Sequence, residues 1–235
     1  MTAVIARNLE KRFGSAVGLD GIDLDIPTGS TMAILGPNGA GKSTLLRLIA
    51  GLARPSSGSL EIGGEPAHRQ AARARVGFIG HATGLYPELT ARENLIFAAR
   101  LRGVANVNAQ VEAQLAEAGL TRAANRRTGD FSRGMAQRLS IAAGLVGEPE
   151  IVLLDEPFTG LDRTASDRLV ERLMRLRQQN RTLVLVSHDV ALAARLADAA
   201  VVLRRGRIAH RECGDRLDSK TLENAYSAAS NRGVS

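Results

Sequence analysis

Tryptophan is absent, tyrosine occurs twice, cysteine once, and of the 31 basic residues only Lys11, Lys42 and Lys220 are lysines. Each shortage excludes something. The single cysteine, Cys213, allows no internal disulfide, which fits a reducing compartment. With aromatics at 3% there is no stacking platform for single-stranded nucleic acid, and the arginines are scattered over helical segments. The formal charge of +7 therefore reads as solvated or partner-facing, and nucleic acid is not expected as a ligand. Long apolar runs are also missing: IVLL and LVLV are strand-sized, far short of a bilayer span. The start, MTAVIARNLEKRFG, carries Glu10 and alternation where a secretion signal needs a continuous apolar segment.

What remains is a globular composition. Hydrophobic residues make up 44% and charged residues 23% of 235 positions, enough for a substantial core in one domain or in a domain with an inserted lobe. The first quarter reads as strands at Val4 to Leu9, Ile22 to Ile26 and Thr31 to Leu35, punctuated by Phe13-Gly14 and Pro27-Thr28-Gly29. The third strand runs into GPNGAGKSTLLRLIAGL, which places Gly36, Gly41, Lys42 and Ser43 in the G-x-x-x-x-G-K-[ST] pattern between a strand and an apolar-periodic helix. Glycines let the backbone wrap phosphate closely, and the helix N-terminus adds partial positive charge. Lys42 can reach β- and γ-phosphates while Ser43 offers a hydroxyl to Mg2+.

Two further aliphatic strands end in polar residues. IVLLDEP, residues 151 to 157, puts Asp155 at a strand's carboxyl end, where an α/β sheet presents ligands. Asp155 suits the metal shell, and Glu156 is the candidate to polarise an attacking water. LVLV, beginning at Leu183, ends in Ser187-His188-Asp189. His188 is placed to contact a γ-phosphate or its water; the alternative is a plain turn capped by Ser187 or Asp189.

In this order and with these gaps, GPNGAGKST, FSRGMAQR, IVLLDEP, TGLD and VSHD resemble the ATP-binding-cassette ATPases, over about Val4 to Gly206. The resemblance implies a P-loop NTPase α/β fold with an antiparallel β subdomain, a mostly parallel core sheet and an inserted helical lobe. It implies one domain, 1–235, with the lobe at about 82–148. Phe13 matches the aromatic that stacks on adenine, unless it is simply a core ring. Gly36, Pro37, Asn38, Gly39, Ala40, Gly41, Lys42, Ser43 and Thr44 match the phosphate loop, Asp155 the metal-site aspartate, and Glu156 with His188 and Lys42 the catalytic set. Ser132, Arg133, Gly134 and Met135 match the signature loop that closes over nucleotide held by a second cassette, and Asp162 matches the loop exchanged between cassettes. ATP with Mg2+ is then the expected ligand, and a second cassette, another copy of this chain, the expected partner.

Two positions depart from the family pattern. The usual Leu-Ser-Gly-Gly-Gln is Phe131-Ser132-Arg133-Gly134-Met135 here, so a thioether replaces an amide and Arg133 adds charge. His81 stands where most cassettes carry a glutamine contacting the metal or its water. A neutral imidazole can accept from a metal-bound water, whereas a protonated one would set like charge against the metal; the alternative is a structural loop histidine.

After His81, Thr90 and Glu93 form a T-x-x-E capping box opening a helix through Leu101, and a second helical pattern spans about Val107 to Ala118. A signal entering at His81 is expected to travel along LYPEL and that first helix. Leu85, Tyr86 and Leu89 suit a surface receiving membrane-spanning permease subunits, or local packing. GHATGLYPELTARENL with SRGM resembles the ATP-binding subunit of the cytochrome c maturation haem exporter; drug or polysaccharide exporters, and a soluble or regulatory cassette, are the alternatives. That resemblance implies a peripheral protein on the cytoplasmic face of the inner membrane, acting in c-type cytochrome biogenesis. Direct haem binding is not expected, since C-x-x-C-H is absent. Leu169, Leu173 and Leu176 predict a helix over residues 163 to 179 facing the sheet. The end, from Asp215, reads as a helical patch assigned no chemistry and a polar tail, Asn231 to Ser235, expected to fray.

Overall fold

Two long strands open the chain, β1 (Thr2–Phe13) and β2 (Ala16–Pro27), paired antiparallel. Both exceed the lengths expected from the sequence. The aliphatic alternation is confined to their middles, with Leu19, Ile22, Leu24 and Ile26 pointing to the core. The polar flanks nonetheless continue the ladder across a short hairpin, with several register shifts. β4 (Ser57–Ile62) and β5 (Glu65–Pro66) complete a sheet in the order β2-β1-β4-β5.

The second sheet holds β3 (Thr31–Leu35), β6 (Val76–Ile79), β7 (Ile151–Asp155), β8 (Thr182–Val186), β9 (Ala199–Arg204) and β10 (Arg207–Cys213), in the order β10-β9-β3-β8-β7-β6. All its neighbours are parallel except β9 and β10. Its central strands are continuous aliphatic runs, not alternating ones, because both faces are covered. The computed structural model describes residues 1–214 and 217–231; the expected tail after Asn231 lies outside the described residues.

Helix α1 (Lys42–Ile49) sits between the two sheets, with Leu45, Leu46, Leu48 and Ile49 buried in a cluster shared by β1, β2, β4 and the second sheet. A short α2 (Gln70–Ala74) precedes β6. On the opposite face, α6 (Arg163–Gln178) lays Leu169 and Leu173 against Val152, Leu154, Leu183 and Leu185. Helices α7 (Val190–Leu196) and α8 (Ser219–Asn231) cover the β9 side, joined through Val190, Ala193, Leu222 and Ala229.

Residues between β6 and β7 build a separate cluster. α3 (Ala91–Leu101), α4 (Val107–Glu117) and one face of α5 (Arg133–Leu145) bury Leu95, Ala99, Val111, Leu115, Leu139 and Ala142 together. The Thr90 and Glu93 capping box is formed in both directions, the Glu93 amide donating to Thr90 Oγ1 and the Thr90 amide to Glu93 Oε2. The other face of α5 turns to the sheet, where Ile141 and Leu145 join the cluster under α6.

Candidate functional site

β3, β8 and β7 lie side by side, so the loops after Leu35, Val186 and Asp155 leave the sheet at one edge. The first of these is Gly36 to Gly41. Gly36 has φ 141°, and a Cβ there would fall 2.3 Å from the Leu203 carbonyl oxygen; Gly41, at φ 107°, would press one within 2.6 Å of the Gly18 carbonyl. Only glycine fits either place. Lys42 begins α1 and is 7% exposed, its ammonium donating to the Gly36 carbonyl at 2.7 Å and the Pro37 carbonyl at 3.0 Å. Burial lowers its proton affinity, against the opposing pull of Glu156 and Asp155.

Asp155 ends β7, 5% exposed, and its carboxylate makes no hydrogen bond among the described residues. The next residue leaves the strand sharply. Glu156 takes φ 53°, a left-handed backbone rare for a residue with a side chain and typical of functional sites, and its amide donates to the Val186 carbonyl at 3.1 Å. Burial raises the Glu156 carboxyl above its ordinary range, opposed by His188 and Lys42. The His188 amide donates to Glu156 Oε2 at 3.4 Å, and the His188 ring nitrogen Nε2 stands 3.2 Å from Oε1, which is buried without a hydrogen bond.

These groups line a cleft of about 520 Å³ that takes in Asn38, Gly39, Ala40, Ser43 and Thr44 of the loop and α1, together with Asp155, Glu156, His188 and His81. His81 is exposed, and its side chain makes no hydrogen bond or ion pair among the described residues. Gly18 and Thr159 also line the cleft. Gly18 is a strand-interior glycine, a signal of close backbone approach that the sequence reading passed over. Phe13 stands beside it, 54% exposed, with its Cε2 where a Gly18 Cβ would clash at 2.9 Å, and Lys11 Nζ lies 5.1 Å from its ring centre. Phe13 is thus an open ring at the cleft margin and not part of the core.

The signature residues and Asp162 do not line this cleft. Ser132 caps α5, accepting from the Met135 amide at 3.3 Å, and Arg133 lies across Gly160. Met135 packs against the cluster of α3 and α4. Asp162 caps α6 by accepting from the Ala165 amide at 2.7 Å. Sequence reasoning missed Gln137, buried on α5, which donates to the Pro157 carbonyl at 3.1 Å and ties the signature helix to the residue after Glu156.

A backbone cradle, a buried lysine and two strand-end carboxylates define a nucleoside triphosphate site of the phosphate-loop class. The family model for the ABC transporter matches residues 19–159, and the chain belongs to that family, whose ATP-binding cassettes hydrolyse ATP for transport. Curated relatives include a Nod factor export ATP-binding protein I of Burkholderia orbicola, 38% identical over 86% of this chain and 67% of that protein. A sulfate/thiosulfate import ATP-binding protein of Mycobacterium tuberculosis is 40% identical over 88% of this chain and 60% of its own length. Among solved structures, a dimeric ATP-binding cassette in a post-hydrolysis state with ADP and Pi superposes with TM-score 0.83 at 28% identity, over 89% of this chain and 98% of that one. An ATP-binding subunit of an ABC transporter reaches 0.89 at 29%, over 98% of this chain and 100% of its own.

The donor set fits Mg2+: the Ser43 hydroxyl and the Asp155 carboxylate are hard oxygens, and both residues line the cleft. When bound, the ion would neutralise charge developing on the β- and γ-phosphates. No helix among the described residues is long and apolar enough to cross a membrane.

Proposed function

We propose that this chain is the ATP-hydrolysing subunit of a membrane export complex and that two cassettes share each nucleotide. The observation that carries the reading is the division of the machinery. Lys42, Ser43, Asp155, Glu156 and His188 line the cleft, while Ser132, Gly134 and Asp162 stand outside it. A second copy placed head to tail would bring its Ser132 hydroxyl and glycine amides to the γ-phosphate, so ATP would join the pair and cleavage would release it. Within the cleft, the phosphate-loop amides and Lys42 hold the triphosphate, and Ser43 and Asp155 are the residues to hold Mg2+. Glu156 orients the water through its buried, unbonded Oε1, and His188 presents Nε2 beside it. His81 faces the same cleft as a metal-shell or water contact, and Phe13 offers its open face to adenine.

Residues 82–148 act as the lobe that conveys this cycle to permease subunits. Tyr86 and Phe97 meet edge to face at 5.0 Å, and with Leu101 they form an exposed apolar surface beside the His81 loop. Cargo is assigned to the haem-exporter type on the GHATGLYPELTARENL segment, with the chain peripheral on the cytoplasmic membrane face and haem itself not bound to it. The Nod factor export relatives favour a second reading, an exporter of another cargo. Gentle detergent extraction and identification of the retained membrane proteins tests both. Cytochrome-maturation permease subunits are expected, and a different export permease would replace the first reading with the second.

A further inference from the structure

Helix α8 touches one residue of the nucleotide site, His188, although nothing in the helix's sequence carries a phosphate-binding or catalytic pattern. Tyr226 of α8 places its phenolic oxygen 3.3 Å from His188 Nδ1, while the other ring nitrogen, Nε2, stands 3.2 Å from Glu156 Oε1. The three side chains form a row, Tyr226 to His188 to Glu156, running from the helix to the buried carboxylate.

The row is anchored at its Tyr226 end by packing. Leu222, Ala225, Tyr226 and Ala229 form the i, i+3, i+4, i+7 stripe of α8, turned against Val190, Ala193 and Ala194 of α7. α7 is the helix that His188 precedes by two residues, capped by Asp189, whose carboxylate accepts from the Leu192 amide at 2.8 Å. The packing that seats α8 on α7 therefore also fixes where the phenol lies relative to the imidazole.

We propose that Tyr226 is a positioning residue for His188, and this rests on the reading of His188 as part of the ATP site. A neutral imidazole carries one N–H, and its partners decide which nitrogen keeps it. A phenol O–H donating to Nδ1 leaves the proton on Nε2, the nitrogen facing Glu156 and the cleft. Tyr226 thus selects the tautomer that presents a donor to a γ-phosphate or its water, and stops the ring from turning about its Cβ–Cγ bond. Without the phenol, the exposed edge of the ring meets only solvent, and the opposite tautomer becomes accessible.

The test uses the full chain with Tyr226→Phe, which keeps the ring and the helix packing but removes the hydroxyl. Nitrogen NMR of nucleotide-free protein should show His188 Nδ1 as the unprotonated, hydrogen-bonded nitrogen, and its resonance should shift in Tyr226→Phe while the melting temperature is retained. Turnover should fall about five-fold, the effect of one lost hydrogen bond, with the KM for ATP unchanged. In a His188→Ala background the same substitution should cost nothing further, since its effect passes through the imidazole. An unmoved Nδ1 resonance, or an equal loss in the His188→Ala background, overturns the proposal and leaves the ATP site reading standing. Wild-type turnover in His188→Ala itself would remove the catalytic role of His188, and the positioning role with it.

Discussion

Glu156 combines a left-handed backbone, a largely enclosed side chain and an unbonded buried oxygen within one residue. Its proton affinity is raised in the folded chain, first by burial, so the ionised form opposes folding. A raised folded-state value gives stability that is present below the unfolded carboxyl range and lost as pH rises through the folded one. Glu156→Gln should therefore melt higher than the wild type at pH 7, with the difference closing at acid pH. The same variant should bind ATP, lose turnover by about 100-fold or more and accumulate a closed pair on size exclusion. Equal melting curves at pH 7 would contradict the burial argument; undiminished turnover would contradict the role. At this scale the phosphate loop, Asp155, Glu156 and His188 were legible, because each sits in a contiguous motif at a strand end. Gly18, Thr159 and Tyr226 were not. Gly18 and Thr159 line the cleft through the register of a hairpin and a turn, and Tyr226 meets His188 from a distant helix; no local spacing announces that.

The segment from His81 to α3 is held as an element by buried polar groups. Asn94 is 4% exposed; its Oδ1 accepts from the Tyr86 amide at 2.8 Å, and its Nδ2 donates to the Tyr86 and Thr90 carbonyls at 3.1 and 3.0 Å. Thr128 Oγ1 donates to the same Tyr86 carbonyl at 2.7 Å, and Ser140 of α5 donates to the Thr83 carbonyl at 2.8 Å. The sequence led from His81 along LYPEL into α3. The structure adds a branch into the signature helix, carried by a serine whose position within an apolar stretch gave no hint of a partner 57 residues away. Asn94→Ala removes the partner of the Tyr86 amide at a part-buried site, and should lower stability by about 1–3 kcal/mol in urea melts. Limited proteolysis should then cut first between residues 82 and 90. Resistance equal to the wild type would mean that Thr128 and Ser140 hold the loop alone. The capping box, by contrast, was legible residue by residue, since its chemistry is local and its spacing fixed.

At the scale of the whole molecule, the proposed function rests on the cleft and the α5 and α6 caps lying apart in one copy. Turnover per chain should consequently fall on dilution and recover when catalytically dead copies carrying intact signature loops are added. Turnover unchanged by dilution would show a solitary copy to be sufficient. The alternation of sheets and helices was readable from aliphatic run lengths, but the strand order was not: it depends on which carboxyl ends meet, and only contacts far apart in sequence decide that. The cluster formed by α3, α4 and one face of α5 shares no residue with those under the two sheets. Two interiors under one skin need not loosen together. In deuterium exchange, amides of α3 and α4 should take up label at a shared rate, earlier than β3, β7 and β8, marking the small bundle as a unit that breathes while the ATP-holding sheet stays shut.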